Sequence, residues 1–154
     1  IVLIGDAAHA MVPFHGQGMN CAFEDCLALL DAIENAENWN DAISAYEAAR
    51  RENAAAIQTM ALENYVEMRD KVDDSRFLLE RTLERELDDR HPDRFIPRYS
   101  MVSFQRVSYA VALHRGRIQR GILARLCEGI SDIAQVDYAL ASEMIHRELE
   151  PLHA

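Results

Sequence analysis

The residues best suited to chemistry lie close together near the start of the chain. Gly5-Asp6-Ala7-Ala8-His9 follows the apolar run Ile1-Val2-Leu3-Ile4, so a carboxylate is expected at the carboxyl edge of a sheet. Such edges bind ligands in α/β proteins, and a carboxylate there can accept hydrogen bonds from the hydroxyls of a ribose-like chain. Next comes Pro13-Phe14-His15-Gly16-Gln17-Gly18-Met19-Asn20, in which Gly16 and Gly18 bracket a helix start. Residues without Cβ let a flat ligand approach the backbone closely. The free N–H groups and positive dipole end of that helix suit an electron-rich ring edge. Each feature alone has an ordinary reading, Asp6 as a turn cap and the glycines as turn residues. His9 and His15 have no carboxylate or Cys at ligand spacing and read as hydrogen-bonded structural residues, with no metal site.

These residues need elements to hold them. Ile1–Ile4 reads as a buried strand, and the next 90 or so residues offer it no convincing partner. A helix is expected from about Gly18 to Glu34, with Ala22, Leu27, Leu30 and Ile33 among its apolar positions. Asn40 or Asp41 is expected to cap the next helix, which begins near Ala42. From there to about Leu87 the chain is rich in Ala, Glu and Arg and free of Gly and Pro. That window reads as one long helix, or as two parted by a kink near Asp73-Asp74-Ser75. The Glu/Arg run from Glu80 to Arg90 reads as a solvated face with i,i+4 pairs. Pro92 ends the region, and Tyr99 to Phe104 is either a short strand or one helical turn. Ser108 is a candidate cap for a helix to about Cys127, with Gly129 at its end. Ser131 or Asp132 is expected to start a last helix reaching Leu149. Met60, Met68 and Met101 read as core.

The 154 residues suffice for a real core. The net charge of −10 argues against nucleic acid or an anionic membrane surface as a partner. No stretch approaches the roughly 20 apolar residues of a membrane span. Cys21, Cys26 and Cys127 form neither a disulfide framework nor a zinc motif, which suits a reducing cytoplasm.

The order of motifs resembles that of the group A flavoprotein monooxygenases, which carry Gly-Asp-Ala-Ala-His after a strand and a Gly-Gln-Gly-type turn before a helix. Three further segments are similar to the kynurenine 3-monooxygenase family: Met19 to Cys26, Asn64-Tyr65-Val66-Glu67-Met68-Arg69-Asp70, and Phe95 to Phe104. Where this chain has His15, many relatives have a second Phe.

The resemblance implies a mostly α fold: the C-terminal helical part of an α/β FAD-binding monooxygenase, with one orphan N-terminal strand from the FAD-domain sheet. Residues 1–35 would be the last piece of the FAD-binding domain, and 36–154 a helical domain covering the substrate pocket. It implies FAD contacts from Asp6, Pro13, Gly16, Gly18, Met19 and Asn20. Substrate contacts are implied for Asn64 and Tyr99 toward the amino-acid part of L-kynurenine, and for Pro13, Phe14 and Gln17 toward its ring. NADPH and O2 would be co-substrates. The chain holds no Gly-x-Gly-x-x-Gly loop for the FAD pyrophosphate, so the isolated chain is expected to bind FAD weakly and not to hydroxylate. Its C-terminal residues carry no membrane anchor, which points to a cytoplasmic, bacterial enzyme. A homodimer is left open. So are two other readings: a different group A hydroxylase, or a non-enzymatic helical module that self-associates.

Overall fold

A computed structural model describes residues 1–70 and 73–152. It forms two compact units, 1–68 and 69–154. The division falls between Met68 and Arg69. No helix among the described residues is long and apolar enough to cross a membrane.

In the first unit, a single helical turn α1 (Asp6–His9) leads through a 3-10 turn (Pro13–His15) to α2 (Gly18–Asn35) and α3 (Trp39–Asp70). The 32 residues of α3 extend about 48 Å at 1.5 Å per residue. The expected strand does not form: Ile1–Ile4 is neither helix nor ladder, and no strand occurs among the described residues. A strand exists only through its neighbours, and none is present to receive these N–H and C=O groups. The cap of α3 also differs from expectation. Asn38 Oδ1 accepts from the Asn40 and Asp41 amides at 3.0 and 3.1 Å, while its Nδ2 donates to Asp41.

Each long helix buries a narrow stripe. On α3 it includes Ala42, Tyr46, Arg50, Ile57, Ala61 and Glu67; on α2 it is Cys21, Asp25 and Ala32. The larger apolar residues of α2 lie elsewhere. Met19, Phe23, Leu27, Leu30 and Ile33 are all exposed. The bulk of α2 thus points away from its buried stripe, and the long Arg50 side chain of α3 reaches across to Glu24 and Asp25 of α2.

The second unit contains α4 (Ser75–Arg90), α5 (Arg98–Phe104), α6 (Tyr109–Leu126), a 3-10 turn (Ile133–Gln135) and α7 (Tyr138–Glu148). Its core joins Leu83 and Leu87 of α4, Ile122, Leu123 and Leu126 of α6, and Ala141, Met144 and Ile145 of α7 around Phe95. Asp74 caps α4 and Ser108 caps α6. The Asp73–Ser75 break expected inside a long helix is a full helix boundary; Lys71 and Val72 lie outside the described residues. Tyr99–Phe104 is helical, not a strand. Asp132 caps only a 3-10 turn through a capping box, and Asp137 starts α7. The surface of α4 carries Arg81–Glu84 and Glu86–Arg90 pairs, as its charge pattern implied. Met60 and Met101 are buried, but Met68, near the end of α3, is more than half exposed.

Extended chain in a core needs partners for its carbonyls. Residues 94–97 find them on α6: Arg115 donates to the Arg94 carbonyl at 2.7 Å, and Gln119 donates to that of Ile96 at 2.8 Å. Asp137 Oδ1 accepts from the Ala139 and Leu140 amides, both at 3.0 Å. Asp137→Ala should therefore lower stability by about 1 kcal/mol in urea titration.

Candidate functional site

The chain turns sharply at Gly5. Its φ of 57° is one that side chains rarely adopt, and a Cβ there would lie 3.1 Å from the Ala22 Cβ. Both conditions require glycine. The turn starts α1, with the amides of Ala8 and His9 donating to the Gly5 carbonyl at 2.9 and 3.0 Å. Asp6, the first residue of α1, is exposed.

Beyond α1, Gly16 closes the Pro13–His15 turn with φ 70°. Gln17 then opens α2 with no side-chain cap, unlike α4, α6 and α7. No acidic residue occupies the first turn of α2. The amides of Gly18, Met19 and Asn20 thus form an uncapped positive helix end.

Asp6, Met11, Pro13, Gly16, Gly18, Met19 and Ala22 line one cleft of about 460 Å3. A Cβ on Gly18 would project into it, 3.9 Å from Asp6 Oδ1 and 4.0 Å from Met11 Cγ. Of the residues expected to contact FAD, Asp6, Pro13, Gly16, Gly18 and Met19 line this cleft. The side chain of Asn20, the sixth, donates to Gln17 Oε1 at 2.9 Å.

The residues expected to contact substrate are arranged differently. Gln17 is buried. Phe14 is 40% exposed, and its ring packs on Tyr65 with centroids 4.7 Å apart. The amide of Asn64 donates to the Phe14 carbonyl at 2.5 Å, and Gln58 donates to that of Ala10 at 3.0 Å. Asn64 is thus engaged with the loop that carries Pro13 and Phe14. Tyr99 lies in the second unit, where it is exposed and meets Phe104 edge-on at 6.1 Å.

Behind the cleft lies a network absent from the sequence expectations. Asp25 is fully buried. Its Oδ2 accepts from the Gly5 amide at 2.8 Å and faces His9 Nε2 at 2.5 Å, and its Oδ1 accepts from Arg50 Nε at 2.7 Å. Arg50 also reaches Glu24 at 2.9 Å and the Cys21 carbonyl at 3.3 Å. Burial alone would raise the Asp25 pKa, but the Gly5 amide, Arg50 and His9 outweigh it and hold the carboxyl below its ordinary value. Burial pushes the Cys21 thiol up to about 11.

His9, Cys21 and Asp25 bring their donor atoms within 4.8 Å of one another. His9 therefore does have a Cys and a carboxylate at ligand distance, contrary to the expectation from spacing, because helix packing joins what sequence separates. The cation serving this group is Arg50, whose Nη2 also lies 3.4 Å from Cys21 Sγ. A protonated thiol beside a guanidinium is poorly suited to metal ligation. Asp25 on α2 and Arg50 on α3 are opposite charges, both buried, and each satisfies the other.

The cleft and the uncapped helix start lie within residues 1–61, which match the family model described as "FAD binding domain". The relatives are more particular. The chain is 58% identical over 151 residues to proteins named kynurenine 3-monooxygenase from Xanthomonas axonopodis pv. citri (strain 306) and Xanthomonas oryzae pv. oryzae (strain PXO99A). It is 56% identical to that of Xanthomonas campestris pv. campestris (strain B100). Each match covers 98% of this chain and 33% of the relative. The chain is thus similar along nearly its whole length to these kynurenine 3-monooxygenases and spans about a third of their length.

Proposed function

We propose that this chain supplies the isoalloxazine-facing part of an FAD-dependent aromatic hydroxylase, and that the complete polypeptide 3-hydroxylates L-kynurenine with NADPH and O2. The observation that carries this reading is the single cleft shared by Asp6, Gly16, Gly18 and Met19 at the uncapped start of α2. Gly18 presents bare backbone to this cleft, which lets a flat ring approach closely. Asp6 would accept hydrogen bonds from ribityl hydroxyls. The amides of Gly18, Met19 and Asn20 would face the ring edge that becomes electron-rich on reduction. Bound flavin supplies the redox chemistry, taking electrons from NADPH and delivering oxygen to the aromatic ring. Pro13 and Phe14, on the loop fastened by Gln58 and Asn64, would face the substrate ring and keep water away.

Much of the FAD grip would come from a Gly-x-Gly-x-x-Gly loop, which these 154 residues do not hold. The isolated chain should accordingly bind FAD more weakly than micromolar and form no 3-hydroxykynurenine. Flavin titration tests this, and a stoichiometric yellow complex of the bare chain would overturn it. A polypeptide extended upstream to include such a loop should bind FAD stoichiometrically and convert L-kynurenine in the presence of NADPH. Hydroxylation of phenols alone would instead indicate another group A hydroxylase. The exposed apolar side of α2 favours a second reading, a self-associating helical module. Sedimentation of the extended polypeptide as a monomer with bound FAD would dismiss it.

A further inference from the structure

Asp25 stands apart from the cleft, yet it touches both ends of the turn that carries Asp6. Its Oδ2 meets the Gly5 amide at the start of α1 and the His9 ring at the end. One oxygen thus clasps a four-residue helix at its N-cap, Gly5, and at its last residue, His9, with Asp6 directly after the cap. The other oxygen is held by Arg50, twenty-five residues away on α3. Such a short turn has little stability of its own, so its orientation depends on what holds its ends.

A buried ion pair is a poor source of stability, because desolvation cancels much of the attraction. Apolar residues of similar size often do as well. What an ion pair with three directed partners does supply is a defined geometry. Gly5 adds to this, since its left-handed φ and its close approach to Ala22 allow the amide to reach Asp25.

We propose that Asp25, oriented by Arg50, is a positioning residue that fixes the Gly5–His9 turn and thereby aims the Asp6 carboxylate into the cleft. The consequence for the cofactor rests on the flavin reading above; the fixing of the turn does not. Asp25 touches no ligand itself and acts through Gly5 and His9.

The test is amide hydrogen exchange in the 154-residue chain, comparing wild type with Asp25→Asn. The variant loses the charge and sets one amide face against the donors of Arg50. Exchange at Gly5, Ala8 and His9 should quicken roughly ten- to hundredfold, as expected for a lost hydrogen bond to a charged group. Amides in the middle of α2 and α3 should keep their protection. Should Asp25→Asn fail to fold, Asp25→Leu with Arg50→Met removes both charges and gives the same readout. Unchanged exchange at Gly5–His9 would overturn the proposal, as would an equal loss along all of α2 and α3, which would mark a purely structural role.

A second arm uses the upstream-extended polypeptide. There Asp25→Asn should raise the FAD dissociation constant about as much as Asp6→Ala does, and a constant equal to wild type would sever the link to Asp6. Failure of the wild-type extended polypeptide to take up FAD would sink the flavin reading alone, leaving the exchange result to decide the positioning.

Discussion

Arg50→Ala should destabilise the first unit by roughly 3–5 kcal/mol, the usual penalty for leaving one member of a buried pair without its counter-charge. The reason is the position of Asp25, fully buried with one oxygen given to the guanidinium. Urea unfolding followed by circular dichroism measures it, and a loss below 1 kcal/mol would mean that water reaches Asp25. Glu24→Ala removes a partner of the same guanidinium, but Glu24 is 45% exposed. Its loss should amount to less than about 1 kcal/mol. The pH dependence follows from Asp25, whose folded pKa lies below the unfolded one. Its stabilising share is complete above about pH 4 and fades as pH falls through the lower folded value. Stability below pH 4 should therefore vary less steeply with pH in Asp25→Asn than in wild type.

The second large effect lies in the other unit. Phe95 is fully buried at the centre of a core formed by α4, α6 and α7. It lies on the extended segment whose carbonyls are taken by Arg115 and Gln119. That segment cannot easily shift inward to fill a void, because its backbone is tied on both sides of Phe95. Phe95→Ala should therefore lie toward the upper end of the roughly 3–5 kcal/mol range for such truncations. Thermal unfolding reports it, and a loss under 2 kcal/mol would show that the segment collapses into the space after all.

How far the sequence foretold this arrangement depends on the range of the interaction concerned. The helices from Trp39 to Arg90 were legible because Ala, Glu and Arg favour helix residue by residue and no Gly or Pro interrupts them. Ser108 was legible as a cap because capping acts over three residues. The shift from Asn40 or Asp41 to Asn38 shows the limit even there, since neighbouring polar residues compete for one helix end. Ile1–Ile4 has strand composition, but pairing depends on atoms that composition does not supply. His9, Asp25 and Arg50 were invisible as a group because α2 and α3 must first pack to bring them together. The cleft itself was legible: its glycines and Asp6 lie within fourteen positions of one another, and local turn geometry suffices to gather them.

The fastening of the Gly5–Gln17 loop also bears on engineering. The loop's shape is held by Asp25 on one helix, itself held by Arg50, and by Gln58 and Asn64 on another. Grafting the motif onto a foreign scaffold would transfer its letters without its conformation. The smallest transplantable part is the loop together with both helices behind it.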